Sequence, residues 1–147
     1  MAASDIPQKT RPAAVLTITV FLFFATAAAC VTGISLLFPG SVLSSIWELN
    51  RPAYVAFAPF RRVAGLLLLT LGALCAVLTF GVLRRKRWAW WGAVLLLGVH
   101  CMGDLVTLVL YRDVVKGGSG VLIASLFLVL LLLPATRRYF DVPRAGK

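Results

Sequence analysis

The feature that most constrains this chain is a set of four long apolar runs, separated by short segments rich in Lys and Arg. The runs cover residues 13–38, 63–83, 88–111 and 119–135. A helix needs about 20 residues to cross the roughly 30 Å hydrocarbon layer of a bilayer. Because the runs lack the alternation of barrel strands, helices are the expected membrane-crossing elements. We therefore predict an all-α integral membrane protein with four helices.

The composition excludes a water-soluble domain of this length. Hydrophobic residues make up 61% of the 147 residues and charged residues 14%, against roughly 45–50% and about 25% in soluble domains. The length predicts one domain, and the short loops favour an up-down-up-down four-helix bundle over residues 13–136. Residues 1–12 and the basic residues 137–147 are the two tails.

The first run also resembles a signal peptide. Lys9 and Arg11 precede "AAVLTITVFLFFATAAAC", in which Cys30 stands where a lipoprotein would carry its lipid. The run continues through "VTGISLLFPG", however, whereas the apolar core of a signal peptide has only about 7–15 residues. An uncleaved first helix is the prediction.

The distribution of Lys and Arg predicts the orientation. The N-terminal tail holds two, the second loop four ("RRKR") and the C-terminal tail four, while the other two loops hold five (Arg51, Arg61, Arg62, Arg112 and Lys116). The positive-inside rule then places both termini and "RRKR" in the cytoplasm, in a multi-pass topology that fits a bacterial inner (cell) membrane. Trp88, Trp90 and Trp91 follow "RRKR" as expected aromatic belt residues.

The net charge of +10 raises the question of partners. No basic and aromatic platform is long enough to follow a nucleic acid strand, so no nucleic acid partner is expected. The charge instead predicts attraction to the lipid bilayer, with anionic headgroups at the basic cytoplasmic loop.

Two loops carry further expectations. In the first loop, about Pro39–Arg62, a Ser cap and Trp47 indicate a short amphipathic turn, which Asn50–Pro52 and Pro59 should interrupt. We expect this loop to be a connector; a lid over the bundle is the alternative. "GGSG" at residues 117–120 is interpreted as a flexible turn, and Pro134 should end or bend the fourth helix.

The third run contains the candidate intramembrane polar site. At about 100° per residue, Asp104, Thr107 and Tyr111 all lie within about 40° of His100 on one helix face. Because a carboxylate near the bilayer centre costs about 2.5–3.5 kcal/mol, this stripe should face neighbouring helices. His100 is one expected partner for Asp104; the other is Arg61 or Arg62 at the start of the second helix, with Arg61 at the rim of the predicted contact. Arg61 lies beside a small-residue line predicted to pack against the stripe: Gly65, Gly72, Ala76 and Thr79.

These residues allow several interpretations. The leading one is a packing network in a non-enzymatic accessory or structural membrane protein, which assembles as a homodimer or in a larger membrane complex. The alternative is a small transporter or proton-linked ligand-binding protein that uses His100 and Asp104. Metal, haem or covalent enzyme chemistry is not expected, and no cofactor is assigned. The cysteines, Cys30, Cys75 and Cys101, lack metal-ligand spacing and have no base on the same helix face.

Three segments carry a resemblance: "WELNRP", "RRKRWAWW" and "GDLVTLVLYRD". Together they resemble a group of uncharacterised small four-helix bacterial integral membrane proteins, over residues 47–140. The resemblance implies a fold and a cell membrane, and no activity. The small multidrug-resistance exporters also have four helices, but they carry an essential acid in the first helix, and residues 13–38 contain none.

Overall fold

The computed structural model describes residues 11–111 and 117–141. Within them every regular element is helical: α1 (Ala13–Leu37), α2 (Arg51–Phe57), α3 (Arg61–Leu83), α4 (Arg87–Tyr111), α5 (Ser119–Leu132) and α6 (Pro134–Tyr139). Single 3₁₀ helices cover Val42–Glu48 and Ala58–Phe60. The all-α prediction is confirmed. Most of both predicted tails, and the third loop with Arg112 and Lys116, lie outside the described residues.

Three helical segments are long and apolar enough to cross a membrane: Ala13–Leu37, Arg51–Leu83 and Arg87–Leu110. The second has 33 residues, because α2 continues into α3 through the 3₁₀ turn. Pro52 and Pro59 both lie in the first turn of a helical element, where the missing N–H of proline removes no hydrogen bond. Pro59 lies in the 3₁₀ turn that separates α2 from α3, so the α-helix is interrupted there as predicted, although the helical segment continues.

The fourth apolar run is divided by Pro134. Helix α5 has 14 residues and ends at Leu132, three residues before the predicted end. Leu133 has an extended backbone, with φ −52° and ψ 139°, as sterics require of a residue that precedes proline. Pro134 then begins α6. The predicted helix end near Pro134 is confirmed.

The chain forms two compact units, of which residues 20–80 are one. In this unit α1 and α3 are antiparallel and meet through residues without side chains. A Cβ placed on Gly65 would lie 3.0 Å from the Gly33 carbonyl oxygen, and one on Gly72 would lie 2.7 Å from the Cys30 sulfur. Gly65 and Gly72 thus lie on the predicted packing line, but their neighbour is α1, whereas the sequence pattern predicts α4.

In the second unit α4 packs most extensively on α5. Ala89 and Ala93 are completely buried, and the Trp90 indole N–H donates to the Leu131 carbonyl over 2.9 Å. This carbonyl is one of the last in α5, which have no partner within the helix. The expected belt role is therefore wrong for Trp90, which is 1% exposed; Trp88 and Trp91 are 50% and 58% exposed.

We predict that Gly65→Val destabilises the α1–α3 contact by about 1–3 kcal/mol, because the added carbons overlap the Gly33 backbone. The measurement is the Tm of the purified protein in detergent. Gly98→Val in α4 is the matched control, since its Cβ would have no atom within 4 Å. Equal Tm values for the two variants would contradict close packing at Gly65.

Candidate functional site

The packed face of α4 positions the acidic residue of the candidate site. Ala89, Ala93 and Leu97 are buried along this face, and Asp104 lies on the same side almost two turns after Leu97. Here α4 meets the first turn of α5, where a Cβ on Gly120 would overlap the Asp104 carboxylate. The carboxylate therefore occupies space that only a glycine leaves open.

His100 and Asp104 lie together, one helical turn apart. The His100 Nε2 and Asp104 Oδ2 atoms are 3.5 Å apart, which is an ion-pair contact but too long for a well-formed hydrogen bond. The His100 side chain is 67% exposed and that of Asp104 is 22% exposed. The pair thus spans the edge of the helix interface, with its acid inside and its imidazole outside.

The Asp104 carboxylate is incompletely satisfied. Its Oδ2 atom is fully buried, and no donor among the described residues forms a hydrogen bond with it. A buried acceptor without a donor raises the free energy of the folded state, by about 1–3 kcal/mol for neutral groups and more for charged ones. A proton on this oxygen, or an added donor beside it, would therefore stabilise the folded state.

Of the other predicted members of the site, Thr107 does not join this contact. The Thr107 hydroxyl donates to the Gly103 carbonyl of its own helix over 3.0 Å. The Tyr111 side chain lies outside the described residues. Arg61 is half-buried and belongs to the unit formed by residues 20–80, so its pairing with Asp104 stays a prediction.

Two residues of α5 complete the site and were missed in the sequence. Gly120 belongs to a segment that had been interpreted as a flexible turn, yet Ser119 and Gly120 are the first residues of α5. Ser125, one and a half turns later, has its hydroxyl 3.7 Å from the Cys101 sulfur. The small residues at positions 120 and 125, in an otherwise aliphatic run, are the sequence pattern that indicates a helix interface here.

The chemistry open to this arrangement is limited. A carboxylate and an imidazole can share or exchange a proton, and the exposed imidazole can accept a hydrogen bond from a neighbour. Among residues 11–111 and 117–141, no three His, Cys, Asp or Glu side chains lie close enough together to hold a metal ion. Proton exchange and polar contact between helices are the activities that the pair supports.

We predict that Gly120→Ala lowers Tm by an amount that depends on Asp104. The new methyl group overlaps the carboxylate, at a cost of about 1–3 kcal/mol. In an Asp104→Ala background the methyl group fills vacated space, so the cost should fall. A thermal-unfolding double-mutant cycle measures this, with Gly103→Ala as the control because its Cβ has open space. An equal cost in both backgrounds would exclude the contact.

No known family model, curated protein or solved structure matches this chain. The resemblance to small bacterial membrane proteins therefore stays a prediction.

Proposed function

We propose that the chain is a multi-pass integral membrane protein with a structural or accessory role and no enzymatic activity. The observation that carries the membrane location is the apolar exterior of the three long helices. Between 11% and 28% of each apolar segment is buried, and many of the Leu, Val and Phe side chains are exposed. In water each large apolar side chain left exposed forgoes about 1.5–3 kcal/mol, whereas a hydrocarbon solvent removes this cost.

Individual side chains make the same argument. Phe23 and Phe24 of α1 are 63% and 66% exposed, Leu95 of α4 is 69% exposed, and Leu122 of α5 is 72% exposed. Soluble monomers rarely present contiguous apolar surface on this scale. The proposed arrangement is the four-helix up-down-up-down bundle in a cell membrane, with both termini and the basic loop in the cytoplasm.

In this proposal Gly120 of α5 makes room for the Asp104 carboxylate, so that α4 and α5 can pack closely, and His100 contacts the carboxylate from within α4. Two contacts support this: the Asp104 carboxylate lies against Gly120 of α5, and the His100 imidazole lies 3.5 Å from that carboxylate. In lipid, helices associate mainly through polar groups and close packing at small residues. Apolar side chains contribute little, because moving them from lipid to protein gains little free energy. The exposed part of the imidazole supports assembly with a second copy or a partner subunit, which would supply an acceptor or donor.

A second candidate is a small proton-linked transporter. The observation that favours it is the buried Asp104 Oδ2 atom without a donor, next to an imidazole that reaches the protein surface. A carboxylate held in this way can take up a proton and release it again, which is the elementary step of proton coupling. Structural and transport roles make opposite predictions for neutral variants of the pair.

If the chain is inserted in a membrane, it should stay in the membrane fraction after an alkaline wash. Its first loop and its C-terminal segment should then be labelled from opposite sides of that membrane. With Cys30, Cys75 and Cys101 replaced by Ala, Ser45→Cys in the first loop should react with an impermeant maleimide on intact cells. Arg138→Cys should react only after permeabilisation, because the basic segments lie inside. Loss of the chain to the soluble fraction would refute insertion; the reverse labelling pattern would refute the orientation.

The structural role predicts that His100→Gln alone lowers Tm in detergent, because the buried Asp104 carboxylate then lacks its neighbouring imidazole. Adding Asp104→Asn removes the buried charge and should restore Tm in the double variant. Dye-monitored proton flux in proteoliposomes should be the same for this variant and the unmodified protein. Thr107→Val is the control, since its hydroxyl bonds only to its own helix. Proton flux that is present in the unmodified protein and abolished in the double variant would establish the transporter instead.

A further inference from the structure

A pocket outside the polar pair lies in the segment that joins α1 to α3. It has a volume of about 490 Å³ and is lined by Gly40, Ser44, Trp47, Glu48, Arg51 and Tyr54. This volume is in the range of small-molecule sites, which is about 300–1,000 Å³. All six residues belong to the unit formed by residues 20–80.

The walls of the pocket are fixed by contacts to α1 and by a helix cap. The Trp47 indole N–H donates to the buried Ser35 hydroxyl of α1 over 3.0 Å, and the Tyr54 ring lies 5.4 Å from the Trp47 ring, centroid to centroid. Asn50 caps α2 by accepting a hydrogen bond from the Ala53 N–H. These contacts fix the backbone of a short corner that carries the two charged residues of the pocket, Glu48 and Arg51.

Glu48 and Arg51 bring opposite charges to the pocket without using them on each other. In the part of the chain that the structure describes, neither side chain is in an ion pair. An exposed carboxylate beside two aromatic rings suits an ammonium group, and a guanidinium suits a phosphate. The pocket therefore offers complementary contacts to a molecule that carries both groups.

The surroundings of the pocket favour a lipid as the source of that molecule. Val42 and Leu49, at either end of the same corner, are 92% and 91% exposed, and Phe60 is 55% exposed. Apolar side chains that flank a polar pocket match the boundary between headgroups and acyl chains of a bilayer. A pocket for a soluble metabolite would have no need of this apolar border.

We propose that this pocket binds the zwitterionic headgroup of a phospholipid, with Arg51 on the phosphate and Glu48, Trp47 and Tyr54 around the ammonium group. The assignment rests on the proposed membrane location. It adds a specific ligand class in the segment before α3. The basic loop that follows α3 in the chain, by contrast, attracts anionic lipid without distinguishing one headgroup from another.

The test is lipid retention by the full chain in detergent, measured by native mass spectrometry. The probes are short-chain phosphatidylethanolamine and phosphatidylglycerol, glycerophosphoethanolamine and inorganic phosphate. The ethanolamine lipid should be retained about tenfold more than the glycerol lipid. Arg51→Gln and Glu48→Gln should each lower its retention about tenfold, because each variant loses a charge-assisted contact.

The control is Arg62→Gln, which removes an exposed cation outside the pocket and should leave lipid retention unchanged. Unchanged Tm values would show that the variants fold.

Three outcomes would overturn the proposal. Equal retention of the two lipids, or a Glu48→Gln variant that binds like the unmodified protein, would exclude recognition of the ammonium group. Inorganic phosphate bound as well as the ethanolamine lipid would reduce the pocket to an anion site. Glycerophosphoethanolamine bound as well as the lipid would overturn the lipid source alone. Because retention is measured in detergent, it is independent of the alkaline-wash result that tests membrane insertion.

Discussion

The backbones of α1 and α3 approach so closely at Gly33 and Gly65 that neither position has room for a side chain. The rest of the structure depends on this kind of contact. For helices that are apolar on every side, the hydrophobic effect does not favour contact with another helix over contact with lipid. Close van der Waals packing and a few polar groups must therefore stabilise the contact between helices. The same device recurs between α4 and α5, where the missing side chain of Gly120 makes room for a carboxylate.

Hydrogen bonds at the ends of the helices complement these glycine contacts. Trp47 ties the corner before α3 to Ser35 of α1, and Trp90 satisfies a terminal carbonyl of α5. The Arg87 side chain likewise donates to the Asp141 carbonyl after α6. Each unit thus combines a glycine contact between two helices with directional hydrogen bonds near the helix ends. The directional contacts define how far one helix can slide along the other.

The sequence was sufficient for the helices and insufficient for their partners. Apolar run length located α1, α3 and α4 to within about two residues, and the spacing of His100 and Asp104 placed them on one face, because both signals are local. Which helix covers Gly65, and why Trp90 is buried, depend on contacts between distant parts of the chain. Helices that are apolar on nearly every side leave little periodic signal to identify the packed face, so Gly120 and Ser125 were recognised only in the structure.

The break at Leu133 leaves α5 with 14 residues, which corresponds to a length of about 21 Å. A typical hydrocarbon layer is about 30 Å thick. In the proposed membrane setting the lipid around α5 would have to compress, at a fraction of a kcal/mol for each ångström of mismatch. In that setting such a helix would favour thin bilayers, which would give the chain a physical basis for sorting between membranes of different thickness.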